Sequence, residues 1–440
     1  MRPPASYGQL LRVLGVTFGI SVAVGEMIGS GILRTPGLVA AGVPLAGAIL
    51  ALWAFGAFHA VLQANVLAEL GTMLPRAGGQ YVFAHRAFGD IGGLVVGWMM
   101  WCAHIVGLAA SSIAFADFLA GVWPLASGHT AEVAVAMQLA LYGANIVGLR
   151  EGRALQIATS IVKVSLLLLF VFASVWLLPA HAETPQHMAA PMGFLALAGA
   201  YQLIRGAYNG WHAPIYFAEE NVLPAKSIPR SLFFGIAFTG ALYLAVNAAL
   251  LRALGPQGMA TSALPYVVIL SRVAGSATSL LFAIAAMITA ASCANANVMI
   301  APRVLLALSR DRLLPSALQA INKGGSPYLG FVLTACVSLA MCLAGGFRFV
   351  FGMIGILVTL ASLITEIAFF VLRAREPALA RPWHAVLHPW LPGVVIIVDA
   401  ALLVLFALAD LKGVVFALVL CGLCVPFVVV ARRVGGAAAK

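Results

Sequence analysis

Charged residues are the scarcest feature of this chain. Of 440 residues only 9% are Asp, Glu, Lys or Arg, while 62% are hydrophobic. A soluble domain carries roughly 25% charged residues. A chain this poor in charge cannot cover itself with a surface that water solvates, so a soluble globular fold is excluded. Polar and apolar residues do not alternate over about ten-residue segments, which argues against a transmembrane β-barrel. No gap between apolar runs is long enough for a soluble domain, and no phosphate-binding loop is present, so no nucleotide-binding unit and no ATP dependence are expected. Metal ligation also lacks support. The six cysteines all fall in apolar runs. Cys421 and Cys424 form a CxxC with no nearby histidine, and His59, His85, His104 and His212 lack ligand spacing. No metal and no cofactor are expected.

Long apolar runs are abundant. Each of about twelve is long enough to cross a hydrocarbon core near 30 Å as a helix. Their limits are 10–41, 43–71, 88–121, 131–149, 153–178, 192–219, 230–253, 276–309, 329–345, 347–373, 391–409 and 412–432. The reading is an all-α polytopic membrane protein, one transport domain over 1–440. Between the seventh and eighth runs, "GPQGMATSALPYVVILSRVAGS" predicts a short external helix. The first run lacks a small-residue cleavage pattern after it and is expected to remain as the first span.

The formal net charge is +11. The basic residues do not gather on one face, as nucleic-acid binding would need. They punctuate alternate gaps: Arg76 and Arg86, Arg150 and Arg153, Lys226 and Arg230, Arg310, Arg312 and Lys323, Arg373, Arg375 and Arg381, then Arg432, Arg433 and Lys440. The opposite gaps "WPLASGHTAEV" and "PAHAETPQHMAAP" contain none. Arg252, Arg272, Arg348 and Lys412 are exceptions. This bias predicts a multi-pass inner-membrane protein with both termini in the cytoplasm.

Two of the runs are interrupted. "VGEMIGSGILRTPG" places Gly29, Ser30, Gly31 and Pro36 inside the first, and "LIRGAYNGWHAPIYFAEEN" places Gly206, Asn209, Gly210 and Pro214 inside the sixth. Glycine and proline break helices, and a break in lipid strands N–H and C=O groups that cost several kcal/mol unless something polar meets them. Such a break is tolerated where it lines a cavity. The amides of Ser30, Gly31 and Ile32, at the start of a second half-helix, suit a carboxylate. Paired breaks at matching places in two halves point to a transporter's substrate site. The spacing predicts inverted five-span repeats at 10–178 and 192–373, with two extra helices at 391–432. The alternative is that these glycines only allow helices to pack closely.

At these residues the chain resembles the amino acid–polyamine–organocation (APC) superfamily of permeases, close to bacterial amino acid permeases and the light subunits of heteromeric exchangers. "IGSGIL" with "TPG" is similar to that family's first-span motif, and "AYNGWHAPIYFAEEN" followed by "SIPRSL" to its sixth-span motif. "AELGTMLPRAGGQYVF", "NANVMIAPRVLLALSRDRLLP" and "RPWHAVLHPWLPG" resemble its second-span, eighth-span and eleventh-span signatures. The resemblance implies a LeuT-like five-plus-five inverted repeat unwound at a central site. It implies that a substrate carboxylate meets Ser30 and Gly31, with Gly29 beside them in the substrate site, and that its amine meets carbonyls near Ile28 and from Gly206 through Ala207 to Tyr208. Lys163 matches a lysine of sodium-independent members, where its ammonium takes the place of sodium. The chain departs from the pattern at Gly206, where a bulky aromatic is common, and at Glu26, where a small or hydroxyl residue is usual.

Charged groups inside apolar runs are functional candidates because lipid exposure is costly. Glu26 shares a helix face with the first break. It can bind a cationic group, carry a proton, or pair with Lys163 or Arg205. Lys163 is either a proton carrier or a charged strut joining the first and eighth spans. Arg205 can recognise an acidic substrate group or pair with Glu26. Asp117 and Glu366 are expected near the interface, and Asp399 suggests no role. Glu69, Glu219 and Glu220 are expected to pair with Arg76, Lys226 and Arg230. Tyr208, Gly210 and Trp211 flank the sixth-span break. Ser292 and Asn295 are either site-facing donors or helix-to-helix bonds. Together these residues predict a sodium-independent secondary transporter of amino acids, working by proton symport or exchange. The rivals are a carrier of polyamines or cationic amines, a substrate-gated channel or receptor, and a membrane enzyme. A channel needs repeated polar rings, and an enzyme needs convergent catalytic groups; neither pattern is evident.

Overall fold

Nearly every apolar run forms a helix, since in lipid only a helix meets each backbone polar group within its own segment. The computed structural model describes residues 10–180 and 193–422, apart from 148, 263, 276, 277, 345, 346 and 410. The first span is split into α1 (Val16–Met27) and α2 (Ser30–Gly42), bent by 43°. The next four are α3 (Ala46–Met73), α4 (Gln80–Ala120), α5 (Thr130–Val147) and α6 (Leu149–Trp176). The sixth begins as α7 (Phe194–Ala207) and resumes, after turns, as a 3-10 helix over Ala213–Glu220. There follow α8 (Pro224–Ala260), the expected short helix α9 (Pro265–Ala274), α10 (Thr278–Arg310), α11 (Tyr328–Ala344), α12 (Phe347–Arg375), α13 (Trp390–Ala409) and α14 (Leu411–Gly422). The rest of the twelfth span, the basic tail and most of "PAHAETPQHMAAP" lie outside the described residues. Among the described residues the chain is an all-α membrane protein.

Two helices outrun their expected limits across a kinked glycine. The third span starts at Gln80 rather than 88 and continues through Gly89 at φ +72°. The seventh runs Pro224–Ala260 rather than 230–253 and continues through Gly255 at φ +65°.

The bundle is apolar outside as well as inside. On α13, Val395, Asp399, Leu402 and Phe406 are buried at helical spacing, while Ile397, Val404 and Leu408 lie open on the other side. An apolar outer face is what a lipid-facing helix presents. Inside, α4 lies between α10 and α12, and both α1 and α3 pack on α8. Small residues permit this closeness, as expected where packing drives association in lipid. A Cβ on Gly56 of α3 would stand 2.7 Å from the Tyr208 ring.

Ion pairs gather where α3, α10 and α12 end. Glu69 takes the Arg373 guanidinium in two bonds of 2.9 and 2.5 Å, and lies 3.1 Å from Arg381. Glu220 takes Arg303 at 2.5 and 2.9 Å, and Glu219 takes Arg310 at 2.8 and 2.7 Å. These partners correct the expected ones. Arg76 instead meets Asp311 at 3.0 Å. Chain neighbours lost to residues brought across the bundle by helix packing.

Candidate functional site

The first break leaves a run of carbonyls without their usual helical donors, and each finds another. Ordinarily Gly25 O would accept from the amide of Gly29, but that amide turns to Met27 O at 2.8 Å. Lys163 of α6, fully buried, donates its ammonium to Gly25 O instead, and to Ile28 O at 2.6 Å. The Cys293 thiol of α10 rests on Glu26 O at 3.6 Å. The Tyr243 hydroxyl of α8 lies 2.7 Å from Met27 O and 3.1 Å from Ala207 O, so one donor is shared between the two breaks. One turn further on, Pro36 has no N–H to give Ile32 O. Tyr266 of α9 supplies the missing donor at 2.9 Å. These side chains come from α6, α8, α9 and α10, so the interruption is held open from several sides.

The second break follows α7. The Tyr208 hydroxyl donates to Trp53 O at 3.0 Å. Gly210 adopts φ +106°, which side-chain-bearing residues rarely adopt, and a Cβ there would stand 2.6 Å from Glu26 Cγ. The two breaks therefore touch at Gly210 and Glu26. At the far end, the chain before α1 pairs with the end of the 3-10 helix: Leu14 N donates to Glu220 O at 3.0 Å and Val222 N to Leu14 O at 2.9 Å.

Between the breaks lies a cavity of about 60 Å³. Its walls include Glu26, Gly29, Ser30 and Gly31 from the first break, and Gly206, Ala207 and Asn209 from the second. Gly107 and Ser111 of α4, Cys293 and Asn297 of α10, and Ile354 of α12 complete it. The first-turn amides of a helix have no intrahelical acceptor, and no side chain caps α2. The cavity thus sees the positive end of α2 and the negative end of α7.

The remaining candidates divide. Ile28, Ile32, Tyr208, Gly210 and Trp211 are buried around the breaks without lining this cavity. Asn295 is turned away. It accepts from Asn145 at 2.7 Å and donates to Gln156 at 2.8 Å, which is the helix-to-helix alternative. Ser292 likewise accepts from Thr159 at 3.0 Å. Glu26 pairs with neither Lys163 nor Arg205. Its carboxylate lies 3.3 Å from His104 Nδ1, and that nitrogen is 2.8 Å from Asn297 Oδ1. Oε2 of Glu26 has no hydrogen-bond partner. Lys163 likewise joins the first span to the fifth and donates nothing to the eighth.

Sequence reasoning missed Tyr243, His104 and Asn297. Only the seventh-span position of Tyr243, a hydroxyl in a long apolar run, hinted at a partner. Tyr243→Phe should remove that shared donor and nothing else. A carbonyl left unpaired in the interior costs about 1–3 kcal/mol. The variant is expected to melt below wild type and to bind its solute more weakly; equal melting temperatures would show that the bridge contributes nothing.

Broken helices meeting at a central cavity, inside a bundle with an apolar exterior, define a membrane transporter of the broken-helix class. A sequence profile of the amino acid permease family matches residues 14–429, and the chain belongs to that family, within the APC superfamily. It is similar to the serine/threonine exchanger SteT of Bacillus subtilis, 25% identical over 398 residues, covering 87% of this chain and 88% of the relative. It is also similar to large neutral amino acids transporter small subunit 2 of Homo sapiens, 26% identical over 392 residues, covering 85% of this chain and 72% of the relative. Asc-type amino acid transporter 1 of Mus musculus matches at 26% over 392 residues, again 85% and 72%. The family is one of transporters, not enzymes.

Proposed function

We propose that this permease carries a small amino acid across the inner membrane, with both termini in the cytoplasm, by sodium-independent exchange or proton symport. The observation that carries the reading is the meeting of opposite helix ends at one cavity. The amides of Ser30 and Gly31 offer donors to a carboxylate, while carbonyls at the end of α7 offer acceptors to an ammonium. Binding a zwitterion there would join the two broken spans, and rocking of one bundle against the other would open the site to each side in turn. Sodium independence is supported by Lys163, whose ammonium occupies the carbonyls of Gly25 and Ile28 that a small cation would need. Relatives named as exchangers and amino acid transporters support the solute class.

A second reading has its own support. Glu26 lines the cavity with one carboxylate oxygen unpartnered, which suits a solute bearing a second ammonium. Uptake into sodium-free proteoliposomes of labelled L-serine, L-leucine, L-arginine and putrescine separates the two. Saturable, stereoselective serine or leucine flux supports the first reading, and arginine or putrescine flux the second. Ion current without saturation would sink both in favour of a channel. Glu26→Gln is expected to change the pH–uptake curve or the order of preferred solutes; a curve and an order identical to wild type would remove Glu26 from the binding reading.

A further inference from the structure

A second polar cluster lies buried in the apolar bundle, outside the substrate cavity. Gln63 of α3 donates its side-chain amide to Glu366 Oε1 of α12 at 3.1 Å and to Asp399 Oδ2 of α13 at 2.5 Å. The two carboxyl groups thus converge on one amide nitrogen and act electrostatically on each other. His59 Nε2, one turn before Gln63, is 3.3 Å from Asp399 Oδ1, and its Nδ1 is 2.7 Å from the Tyr201 hydroxyl of α7. Glu366, Asp399 and Gln63 are wholly buried, which corrects the interfacial place expected for Glu366. One turn beyond Tyr201 comes Arg205, 4% exposed and within electrostatic range of His59, Glu366 and Asp399. Its Nε and Nη2 have no hydrogen-bond partner, and neither has Glu366 Oε2. Tyr208, two turns beyond Tyr201 and just past the end of α7, and His212, within electrostatic range of Arg205, are further titratable groups around the cluster.

The charges decide what this cluster holds. Two carboxylates, one guanidinium and a neutral imidazole would sum to a single negative charge on buried side chains. Uncompensated buried charge costs several kcal/mol even after relaxation. Two carboxylates side by side add mutual repulsion, and one proton shared between them removes both penalties. Adding that proton brings the cluster to zero. No metal is needed: among the described residues no His, Cys, Asp and Glu group has the geometry to hold one.

We propose that Glu366 and Asp399 form a proton-binding site, served by Gln63 and His59 and electrically tied to Arg205. On release the proton passes from the shared carboxyl pair to bulk water, no other bond changes, and the pair draws on the Arg205 guanidinium. Arg205 directly precedes Gly206, which lines the substrate cavity. Proton occupancy at α12 and α13 therefore bears on the last turn of α7 at the solute site. That link alone rests on the transport reading; the proton site does not.

Infrared difference spectra of the purified full chain, in H₂O and D₂O, test the proposal without any solute. A protonated carboxyl stretch that shifts on deuteration and titrates with bulk pH is expected in the wild type. Neutralising either acid leaves one carboxylate to balance Arg205, so the band should be lost in both Glu366→Gln and Asp399→Asn. Absence of the band in wild type, a band that ignores pH, or a band that survives in both variants would each overturn the site. Exposed carboxyls such as Asp90 and Glu132 titrate too, so the assignment is read from the part of the band that each variant removes, and either variant alone decides if the other misfolds. A titrating band in a protein that carries none of the four test solutes would sink the transport reading and leave the proton site standing. Solute flux without the band would do the reverse.

Discussion

Lys163→Ala protein is expected to fold, to elute from detergent as wild type does, and to lose at least nine-tenths of its uptake rate. Two opposing terms produce this combination. Removing the ammonium strands Gly25 O and Ile28 O, at about 1–3 kcal/mol for each unpaired carbonyl. It also removes a charge whose insertion costs about 2.5–3.5 kcal/mol. The terms nearly offset, so stability changes little. The geometry of the first break does not survive so well, because the ammonium that holds Gly25 and Ile28 off the helical path is gone. About 1.4 kcal/mol at the solute site suffices for a tenfold loss of affinity. Lys163→Gln then separates strut from proton carrier. Glutamine keeps donors for the carbonyls but carries no titrating charge. If Lys163 is a strut, the glutamine variant recovers both counterflow and proton-driven accumulation. If it carries the proton, counterflow returns and accumulation against a gradient does not. An alanine variant with wild-type uptake would show that neither role exists.

The same physics explains which parts of this protein were readable from its sequence. Both breaks stood out because glycine and proline clusters are conspicuous against apolar runs. Lys163 stood out because an isolated ammonium in lipid needs partners. What the sequence withheld was which side chains would answer. Tyr243, Tyr266 and Cys293 donate to the first break from helices far along the chain, and nothing local announces them. Asn295 and Asn297 show how fine the distinction is. Two residues turn the helix by about 200°, so one asparagine faces α5 and α6 while the other faces the cavity. Glu366 looked interfacial because Arg373 and Arg375 follow it closely in sequence. Its burial depends on α3 and α13 closing over it, a tertiary fact. A partial signal for that cluster did exist: His59 with Gln63, and Tyr201 with Arg205, are spaced four apart and so share helix faces. Charge counting alone could not say that the two faces meet.

The largest effect is expected at Gly210, where substitution by alanine should abolish solute uptake and the thermal stabilisation that solute gives. Three penalties coincide there. The backbone at φ +106° lies where L side chains are strained, a cost of about 1–3 kcal/mol. The new Cβ would stand 2.6 Å from Glu26 Cγ and 2.9 Å from Glu26 C. A side chain can swing away, but the second of these atoms is main chain of the first break. Relief must therefore separate the two broken spans, moving α2 amides and α7 carbonyls apart. The Glu26 carboxylate would move too, and with it the His104 contact. A zwitterion that bridges both ends loses one of them, so uptake should fall by far more than the strain alone implies. Gly199→Ala is the matched control: it lies on α7 in the same span, and a Cβ there meets nothing within 4 Å. Alanine at 199 should leave uptake unchanged, which separates a general intolerance of the sixth span from a defect at the junction. Wild-type uptake by the Gly210→Ala protein would mean that the contact between the two breaks is packing and not a binding site, and the zwitterion bridge would have to be abandoned.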